Sequence, residues 1–274
     1  MKRKILFVCS FVAMSLVSKA QQIIAYGNHA SSFGMGNIVG SYKDIRGVVA
    51  NPSAIASLPG VQSFVFVDQR FGLKELSSYS AAVAIPMNSG SFGISLNRFG
   101  YDLYNENLVS LSYARQLLTN LSIGGAVEYN YFSIPEYGTK GQIGFQLGIN
   151  SAINSTTTLY FSIKNPNRPL INETDRMPGF FNIGATYSPS KQLVIRTELN
   201  KTLDFKEDLR FGVEYFPSPK IIIRAGGHTY PAQFSFGFGV LPYESIVIEA
   251  SSKYDTQLGF LPGIGLSYGL SFSK

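Results

Sequence analysis

The chain has 274 residues, a formal net charge of +6 and only 15% charged residues, together with 27 glycines, 21 phenylalanines and 16 tyrosines. Four of its 23 lysines and arginines lie in the first twenty residues, which contain no acidic residue, so the rest carries 19 cations against 17 anions. That near balance, with no basic run carrying interleaved aromatics, excludes a nucleic-acid partner. The glycine and aromatic content favours strands and turns over a helix-rich enzyme.

The first twenty residues predict a signal peptide with cleavage after Ala20. A positive start is followed by an apolar stretch and a small-x-small site, namely Lys2-Arg3-Lys4, residues 5–17 and Ser18-Lys19-Ala20. An apolar stretch of 13 residues is too short to cross about 30 Å of hydrocarbon as a helix, which disfavours an uncleaved anchor. The only cysteine, Cys9, lies in this stretch, so the remaining chain has no disulfide framework and no thiolate chemistry.

Residues 21–60 contain repeated glycines and no alternating segment. Pro52 would open a short helix through Leu58 and bias Asn51 away from helical backbone. The alternative is a disordered periplasmic tail, but the apolar content of this stretch argues against disorder. We therefore predict that residues 21–60 form an ordered N-terminal hatch, in or beneath the lumen of a following barrel.

Residues 61–274 fall into segments in which apolar and small or polar residues alternate. In the last segment, Ile264, Leu266 and Tyr268 alternate with Gly263, Gly265 and other small residues. A strand points these two sets to opposite faces. A soluble sandwich would usually carry charge on its second face, whereas a small, neutral face suits the crowded interior of a barrel in a membrane.

Fourteen such segments predict an all-β fold, a transmembrane antiparallel β-barrel of about 14 strands in the outer membrane of a Gram-negative bacterium, with outer-membrane lipid around it. After every second segment the link is mostly short, and the other links include longer ones, notably 100–106, 135–140, 165–178 and 254–260. Short periplasmic turns and longer outer loops are typical of bacterial barrels, and an even strand number places both termini at the periplasmic side. The segments lie at about 62–71, 76–85, 90–99, 107–115, 120–134, 141–150, 157–164, 179–188, 192–201, 208–216, 220–228, 231–241, 244–253 and 261–273.

The start of the chain after the signal peptide also carries a family resemblance. Residues 30–37 (ASSFGMGN), Asp44 and residues 51–56 (NPSAIA) resemble the N-terminal signature of FadL-like outer-membrane proteins and are most similar to its PorV/PorQ branch. The resemblance continues through short motifs in the barrel, such as 112–115 (SYAR) and 212–215 (GVEY). It implies a fourteen-stranded barrel with a luminal hatch, whose motif residues here are Gly34, Gly36, Asp44, Asn51 and Pro52. The chain departs from longer members of the family in its short outer links.

Several ionisable residues share the face opposite the bulky apolar ones, which predicts that they face the lumen. One interpretation is a polar path for a solute. Because acidic and basic residues are nearly balanced, a network that pairs internally and holds the hatch is favoured. We also expect Asp44 and Arg46 of the hatch to pair with these wall charges. The predicted lumen-facing residues are Glu128, Arg196, Glu198, Arg210, Glu214, Arg224 and Glu249.

No catalytic, metal or cofactor site is predicted. The two histidines, His29 and His228, lie in no metal-ligand spacing and beside no nucleophile motif. Gly34-Met35-Gly36 has no strand–helix context that would make it a nucleotide-binding loop.

Two non-enzymatic functions remain. The main interpretation is a PorV/PorQ-like accessory component of type IX secretion or of another outer-membrane protein assembly, with protein partners from that machinery. The alternative is a FadL-like passive channel for small hydrophobic molecules, gated by the hatch and with a lateral outlet between strands. The short outer links favour the first, because they leave little room for an apolar capture site outside the membrane.

Overall fold

The computed structural model describes residues 28–40, 42–135, 138–171, 176–255 and 259–270; the predicted signal peptide and the start of the predicted hatch lie outside these ranges. Within them, fourteen antiparallel strands close into one barrel, in which each strand pairs with its chain neighbours and β1 pairs with β14. The predicted fourteen-stranded antiparallel barrel is therefore confirmed. The strands are β1 (Gln62–Gln69), β2 (Ser77–Met87), β3 (Gly90–Tyr101), β4 (Tyr104–Leu118), β5 (Leu121–Ile134), β6 (Gly138–Ala152), β7 (Thr157–Lys164), β8 (Phe180–Ser190), β9 (Leu193–Thr202), β10 (Asp208–Ser218), β11 (Ile221–Thr229), β12 (Ala232–Tyr243), β13 (Ile246–Asp255) and β14 (Gly259–Tyr268).

The alternation in the sequence becomes the two faces of the barrel wall. On β14, Ile264 is 67% exposed and Leu266 is 46% exposed, whereas Gly263 and Gly265 are buried inside. Exposed apolar side chains form such a face on every strand, and many of them exceed 40% exposure. An apolar exterior of this extent is favourable only against hydrocarbon, so the outer face is the lipid-facing one.

The short links lie at one end of the barrel and follow the even-numbered strands, as predicted. At the opposite end the predicted long link 100–106 is wrong, because β3 and β4 continue to pair through Tyr101 and Tyr104 and leave only a two-residue turn. The polar residues of this stretch had hidden the strand. Similarly, β6 begins at Gly138, inside the predicted link 135–140. The predicted link after β7 is the longest one and spans 165–179.

Five tyrosines lie near the end of the barrel that carries the short turns. Each lies on an outward face close to a turn, as in the aromatic girdle of an outer-membrane barrel at the membrane–water interface. Because the described strands are even in number, the start of β1 and the end of β14 lie at this same end. In bacterial barrels the end with the short turns and both termini is the periplasmic one. The tyrosines are Tyr113, Tyr187, Tyr215, Tyr243 and Tyr268.

The residues before β1 lie inside the barrel. We call residues 28–40 and 42–60 the luminal segment; it contains a one-turn helix α1 (Ala30–Phe33) and two 3₁₀ helices, Ile45–Val48 and Pro52–Ile55. Helix α1 packs on β12, β13 and β14, and Pro52–Ile55 packs on β3 to β6. Because these strands lie on opposite sides of a closed barrel, the segment crosses the lumen. No described helix is long and apolar enough to span a membrane.

Candidate functional site: the filled lumen

The Gly-x-Gly element of the luminal segment lies directly against the wall. Gly36 has φ +68°, and a Cβ added there would lie 2.5 Å from the carbonyl oxygen of Gly227 on β11. Its backbone N–H donates a 2.6 Å hydrogen bond to the Ser235 hydroxyl on β12. Gly34 approaches Gly237 almost as closely, with 3.1 Å from an added Cβ to the Gly237 Cα. Both positions thus need the missing side chain of glycine, and position 36 also needs its backbone conformation.

The Asn-Pro motif is seated on the opposite wall. The Asn51 side chain caps the following 3₁₀ helix by accepting hydrogen bonds from the N–H and hydroxyl of Ser53, at 3.2 and 2.7 Å. Its amide donates to Asn150 of β6 at 3.2 Å. Room for the motif comes from Gly148, where an added Cβ would lie 1.9 Å from the Asn51 Oδ1. The helix ends at Ile55, earlier than the predicted Leu58.

Asp44 and Arg46 form a charged pair at the other 3₁₀ helix. The two side chains meet through a 2.6 Å ion pair and a second, 2.8 Å hydrogen bond. Burial alone would lower the Arg46 pKa, but the nearby carboxylates of Asp44 and then Glu214 raise this pKa above its ordinary value. Arg46 therefore stays charged inside the barrel. The expectation that Asp44 pairs with the wall is wrong, because its carboxylate is used by Arg46.

All seven charged residues predicted to face the lumen lie on inward faces of the strands. Six of them are at most 5% exposed, and the exception, Arg210, is half-buried. The structure divides them into two groups on β9 to β13 and one separate residue on β5. They are Arg196, Glu214, Arg224 and Glu249 in the first group, Glu198 and Arg210 in the second, and Glu128 by itself.

Glu214 is the centre of the first group. Its carboxylate lies 2.6 Å from Arg224, 3.2 Å from Arg196 and 3.9 Å from Arg46. Three guanidinium groups around one buried carboxylate compensate its loss of hydration, and the pair with Arg46 joins the luminal segment to β10. Of the expected pairings between the luminal segment and the wall, this is the one that the structure contains.

Glu249 extends the same group to β13. Its carboxylate lies 2.5 Å from Arg224 and accepts a 3.1 Å hydrogen bond from the hydroxyl of Ser31 in α1. The Ser31 hydroxyl in turn accepts a 2.7 Å hydrogen bond from Arg46. Helix α1, the first 3₁₀ helix and the wall therefore share one polar network.

Glu198 organises the second group. Its Oε2 accepts hydrogen bonds from the backbone N–H groups of Val39 and Gly40, at 3.0 and 3.2 Å, and from the Tyr160 hydroxyl at 3.0 Å. Its Oε1 lies 3.1 Å from Arg210. Glu198 thus holds the backbone of the luminal segment directly. Counting acidic and basic residues in the sequence could not predict this contact.

Two aromatic rings of the luminal segment complete this packing. The Tyr42 ring contacts two guanidinium groups, with 4.4 Å from its centroid to Arg46 and 4.8 Å to Arg196. Burial raises the Tyr42 pKa to about 12, so its hydroxyl stays neutral. The Phe33 ring carries the Lys253 ammonium of β13 at 3.7 Å.

Several buried charges were missed by the sequence reasoning. Glu128 pairs with Lys164 of β7 at 2.9 Å, and Asp208 pairs with Arg210 at 2.7 Å. Lys253 and Asp68 also point inward. The four missed residues are Lys164, Asp208, Lys253 and Asp68. Each continues the inward-facing alternation of its strand, so extending that alternation to the strand ends would have found them. Among the described residues no cluster of His, Cys, Asp and Glu side chains could hold a metal ion.

Beyond Lys164, where β7 ends on the outer side of the barrel, a link takes the place of a strand in the wall. Strand β7 pairs with β6 only from Thr158–Ala152 to Lys164–Gln146, so the outer half of β6 has β5 on one side and no strand on the other. The link after β7 covers that edge: the Asn165 N–H donates to the Phe145 carbonyl at 2.7 Å, and the Asn167 amide donates to the Ile143 carbonyl at 2.9 Å.

The wall is also thin at Gly184 of β8. The Tyr160 side chain crosses this glycine from β7 to reach Glu198 on β9, and an added Cβ at Gly184 would lie 2.4 Å from the Tyr160 hydroxyl oxygen. An apolar groove of about 460 Å³ lies there, lined by outward residues such as Ala185 and also by Tyr160 and Glu198. The outer surface and the luminal network are therefore separated only by backbone at this point.

Beside the polar network, a cluster of buried apolar residues that includes Ile45, Phe66 and Ile222 fills the lumen. A closed barrel with an apolar exterior and an aromatic girdle is the architecture of an outer-membrane β-barrel protein. No family model and no curated protein sequence matches the chain. Solved structures with this fold are similar to the chain. The CymD monoaromatic hydrocarbon channel is similar with a TM-score of 0.67 and 14% identity, covering 92% of this chain and 99% of that one.

Two further solved structures agree over most of their length. The P. putida toluene transporter TodX is similar with a TM-score of 0.67 and 11% identity, covering 90% of this chain and 99% of that one. A Pseudomonas aeruginosa FadL homologue is similar with a TM-score of 0.63 and 11% identity, covering 88% and 98%. The chain thus has the FadL-like barrel fold. The similarity reaches to the ends of the compared structures and is not limited to a part of the barrel.

Proposed function

We propose that this protein is an outer-membrane channel through which small hydrophobic molecules move passively, which was the alternative interpretation of the sequence. The observation that carries the proposal is the similarity over about 90% of the chain to solved structures named as channels and transporters of monoaromatic hydrocarbons and toluene. The proposal includes export through the predicted signal peptide and no catalysis.

The luminal segment would be the hatch of this channel, with residues 21–60 as its extent. Its ion pairs and glycine contacts lie on β9 to β13 and its Asn-Pro motif on β5 and β6, so it is held from both sides. If these buried pairs had to break each time a solute passed, the free-energy cost would be high, because each uncompensated buried charge costs about 3–5 kcal/mol. We therefore infer that a solute leaves the lumen sideways through the wall.

Two features of the β6–β9 side support a lateral route. One edge of the outer half of β6 is covered by a link, and displacing a link takes less free energy than separating two paired strands. The apolar groove outside β8 would receive the solute on the membrane side. The link lies beside β6, whereas the groove extends to β9 and β10, where Glu198 and Leu209 line it.

Uptake measurements test this proposal. Cells of a Gram-negative host without its own hydrocarbon channel would be given radiolabelled toluene, and we expect several-fold faster initial uptake when the barrel is present in the outer membrane. Uptake of a polar sugar of similar size should stay unchanged. Equal toluene uptake with and without the folded barrel would contradict the channel function.

The second candidate is the accessory role in type IX secretion or another outer-membrane assembly, the main interpretation of the sequence. The observation that favours it is the short outer surface: apart from the link 165–179, the described outer connections have at most seven residues. Its test is copurification in mild detergent. Recovery of secretion or assembly proteins with the tagged barrel would support this role, and a barrel recovered alone would count against it.

A further inference from the structure

The lipid-facing surface carries a charge that the channel function does not use. Arg98 on β3 is exposed and points outward, with the same parity as Phe92, Ile94 and Leu96. Within the described ranges no acceptor or carboxylate pairs with its guanidinium. Arg115 also points outward, but it lies on the periplasmic side of Tyr113, and the outward-facing Lys201 pairs with Glu207.

Arg98 lies deep for a charged group on this face. It lies six positions after Phe92, which packs on Tyr113 of the periplasmic girdle. With a rise of about 3.3 Å per residue and a tilt of about 40°, Arg98 stands about 15 Å above Phe92, within an apolar band about 25 Å tall. A guanidinium at that depth needs an anion or water drawn down to it.

Polar groups on the neighbouring strands form a row with Arg98. Tyr79 of β2 and Asn107 of β4 are its cross-strand partners, and Tyr131 of β5 is the partner of Asn107. The Asn107 amide is largely buried and donates a 2.6 Å hydrogen bond to the Asn105 side chain, so the donors that the row offers are the two phenols and the guanidinium. Arginine binds phosphate oxygens in a bidentate manner. The row therefore provides a binding surface for a phosphate group.

An apolar groove descends from this row towards the periplasmic side. Its upper part, about 450 Å³, is lined by residues that include Tyr79, Ala81 and Arg98. Its lower part, about 330 Å³, shares Val65, Ala81 and Leu96 with the upper part and ends at Tyr268. The groove exists because β2 carries small outward residues, Ala81 and Val83, between larger neighbours on β1 and β3.

We propose that this surface binds one phosphorylated lipid of the outer leaflet, with its phosphate on Arg98 and an acyl chain in the groove along β2. The charge, its depth and the continuity of the groove together fit an amphipathic anion. A protein partner would leave the guanidinium without an anion unless it supplied a carboxylate at the same depth, which is costly in hydrocarbon. Arg98 on β3 and the groove along β2 are separate from the proposed solute route at β6–β9.

Native mass spectrometry of the detergent-solubilised barrel tests this proposal, with diphosphoryl lipid A as the probe. We expect one lipid A per barrel, bound at least tenfold more weakly by Arg98→Glu and by Ala81→Phe, which fills the groove. Arg115→Glu and Ala225→Phe are matched controls on the same outer face and should bind as the original protein does. Lipid A from which both phosphates have been removed should bind the original protein as weakly as the intact lipid binds Arg98→Glu.

Heat-modifiable migration on a gel would show that each variant is a folded barrel, and Arg98→Gln serves if Arg98→Glu does not fold. Failure of the original protein to retain lipid A would overturn the proposal. So would equal binding by either the Arg98 or the Ala81 variant. The original protein could instead form a complex with a second copy or with another protein. If Arg98→Glu abolished that complex, the surface would bind protein and not lipid.

Discussion

Gly124 on β5 and Pro52 of the luminal segment approach so closely that a Cβ at position 124 would lie 2.5 Å from the Pro52 carbonyl carbon. The adjacent glycine, Gly125, faces outward, and a Cβ there would meet its nearest neighbour, Leu147, at an ordinary 3.5 Å. Two neighbouring glycines thus have different roles. The inner one makes room for the Asn-Pro motif, whereas the outer one has space for a methyl group at ordinary contact distances.

We therefore predict that Gly124→Ala destabilises the folded barrel by about 1–3 kcal/mol, because the added methyl group overpacks a backbone contact. The measurement is the temperature at which the heat-modifiable band converts on a gel. Gly125→Ala is the matched control and should convert at the original temperature. If the two variants converted together, the seat of Pro52 on β5 would not contribute to stability.

Reversal of the Arg46 charge should be more costly. Arg46→Glu would place a third carboxylate beside Asp44 and Glu214, which lie 2.6 and 3.9 Å from the present guanidinium. Breaking a buried pair in this way costs about 3–5 kcal/mol. We expect a marked fall in conversion temperature and faster proteolysis of the luminal segment.

The control for this variant is Lys43→Glu, because Lys43 belongs to the same segment but is exposed. It should leave both measurements near those of the original protein. Unchanged stability of Arg46→Glu would mean that the network around Glu214 does not hold the segment.

Stability should also depend on pH through His29. Its Nδ1 accepts a 3.1 Å hydrogen bond from the Ser32 N–H, and burial, followed by the charges of Arg46 and Arg224, holds the His29 pKa well below 6.5. In the unfolded chain the pKa is about 6.5, so below that pH the unfolded state binds a proton that the folded state excludes. This contribution is complete above pH 6.5 and is lost as the pH falls towards the folded-state pKa.

The expected loss is about 1.4 kcal/mol for each pH unit below 6.5. His29→Asn keeps an oxygen that accepts from Ser32 but does not titrate, so its stability should fall less between pH 6.5 and 5.5. Conversion temperatures of both proteins across this range provide the measurement. Parallel curves would show that His29 does not contribute to the pH dependence.

The strand pattern could be predicted from the sequence because one period governs the whole wall. Residues such as Ile264 and Leu266 meet lipid, while Gly263 and Gly265 meet the interior, and no tertiary detail is needed to see this alternation. The same parity predicted the inward face of Glu214 and its neighbours. It failed at strand ends, as in β4, which begins at Tyr104 and not at the predicted residue 107, because polar residues there interrupt the alternation.

Partner choice in the lumen could not be predicted in this way. Asp44 pairs with Arg46 two residues away, and Glu198 binds the backbone of Val39 and Gly40, because the luminal segment turns at φ +68° at Gly40. Those contacts depend on how the segment is packed against both walls. The family resemblance indicated the barrel and its filled lumen, but the branch that it favoured is less well supported than the channel.

The lateral route predicts that the groove outside β8 matters for transport. Ala185 lines this groove beside Gly184, where only backbone separates it from Tyr160 and Glu198. Ala185→Trp would fill the groove with a lipid-facing side chain and leave the luminal network in place. We expect it to lower the initial rate of toluene uptake severalfold at equal abundance of folded barrel in the outer membrane.

Ala250→Trp is the matched control, because Ala250 is an exposed, outward-facing alanine on β13, on the other side of the barrel. Its uptake rate should equal that of the original protein. Equal rates for all three proteins would exclude the groove as the outlet while leaving the channel function standing. Equal losses in both variants would point to a general effect of tryptophan on the wall, and the outlet would then have to be sought elsewhere around the barrel.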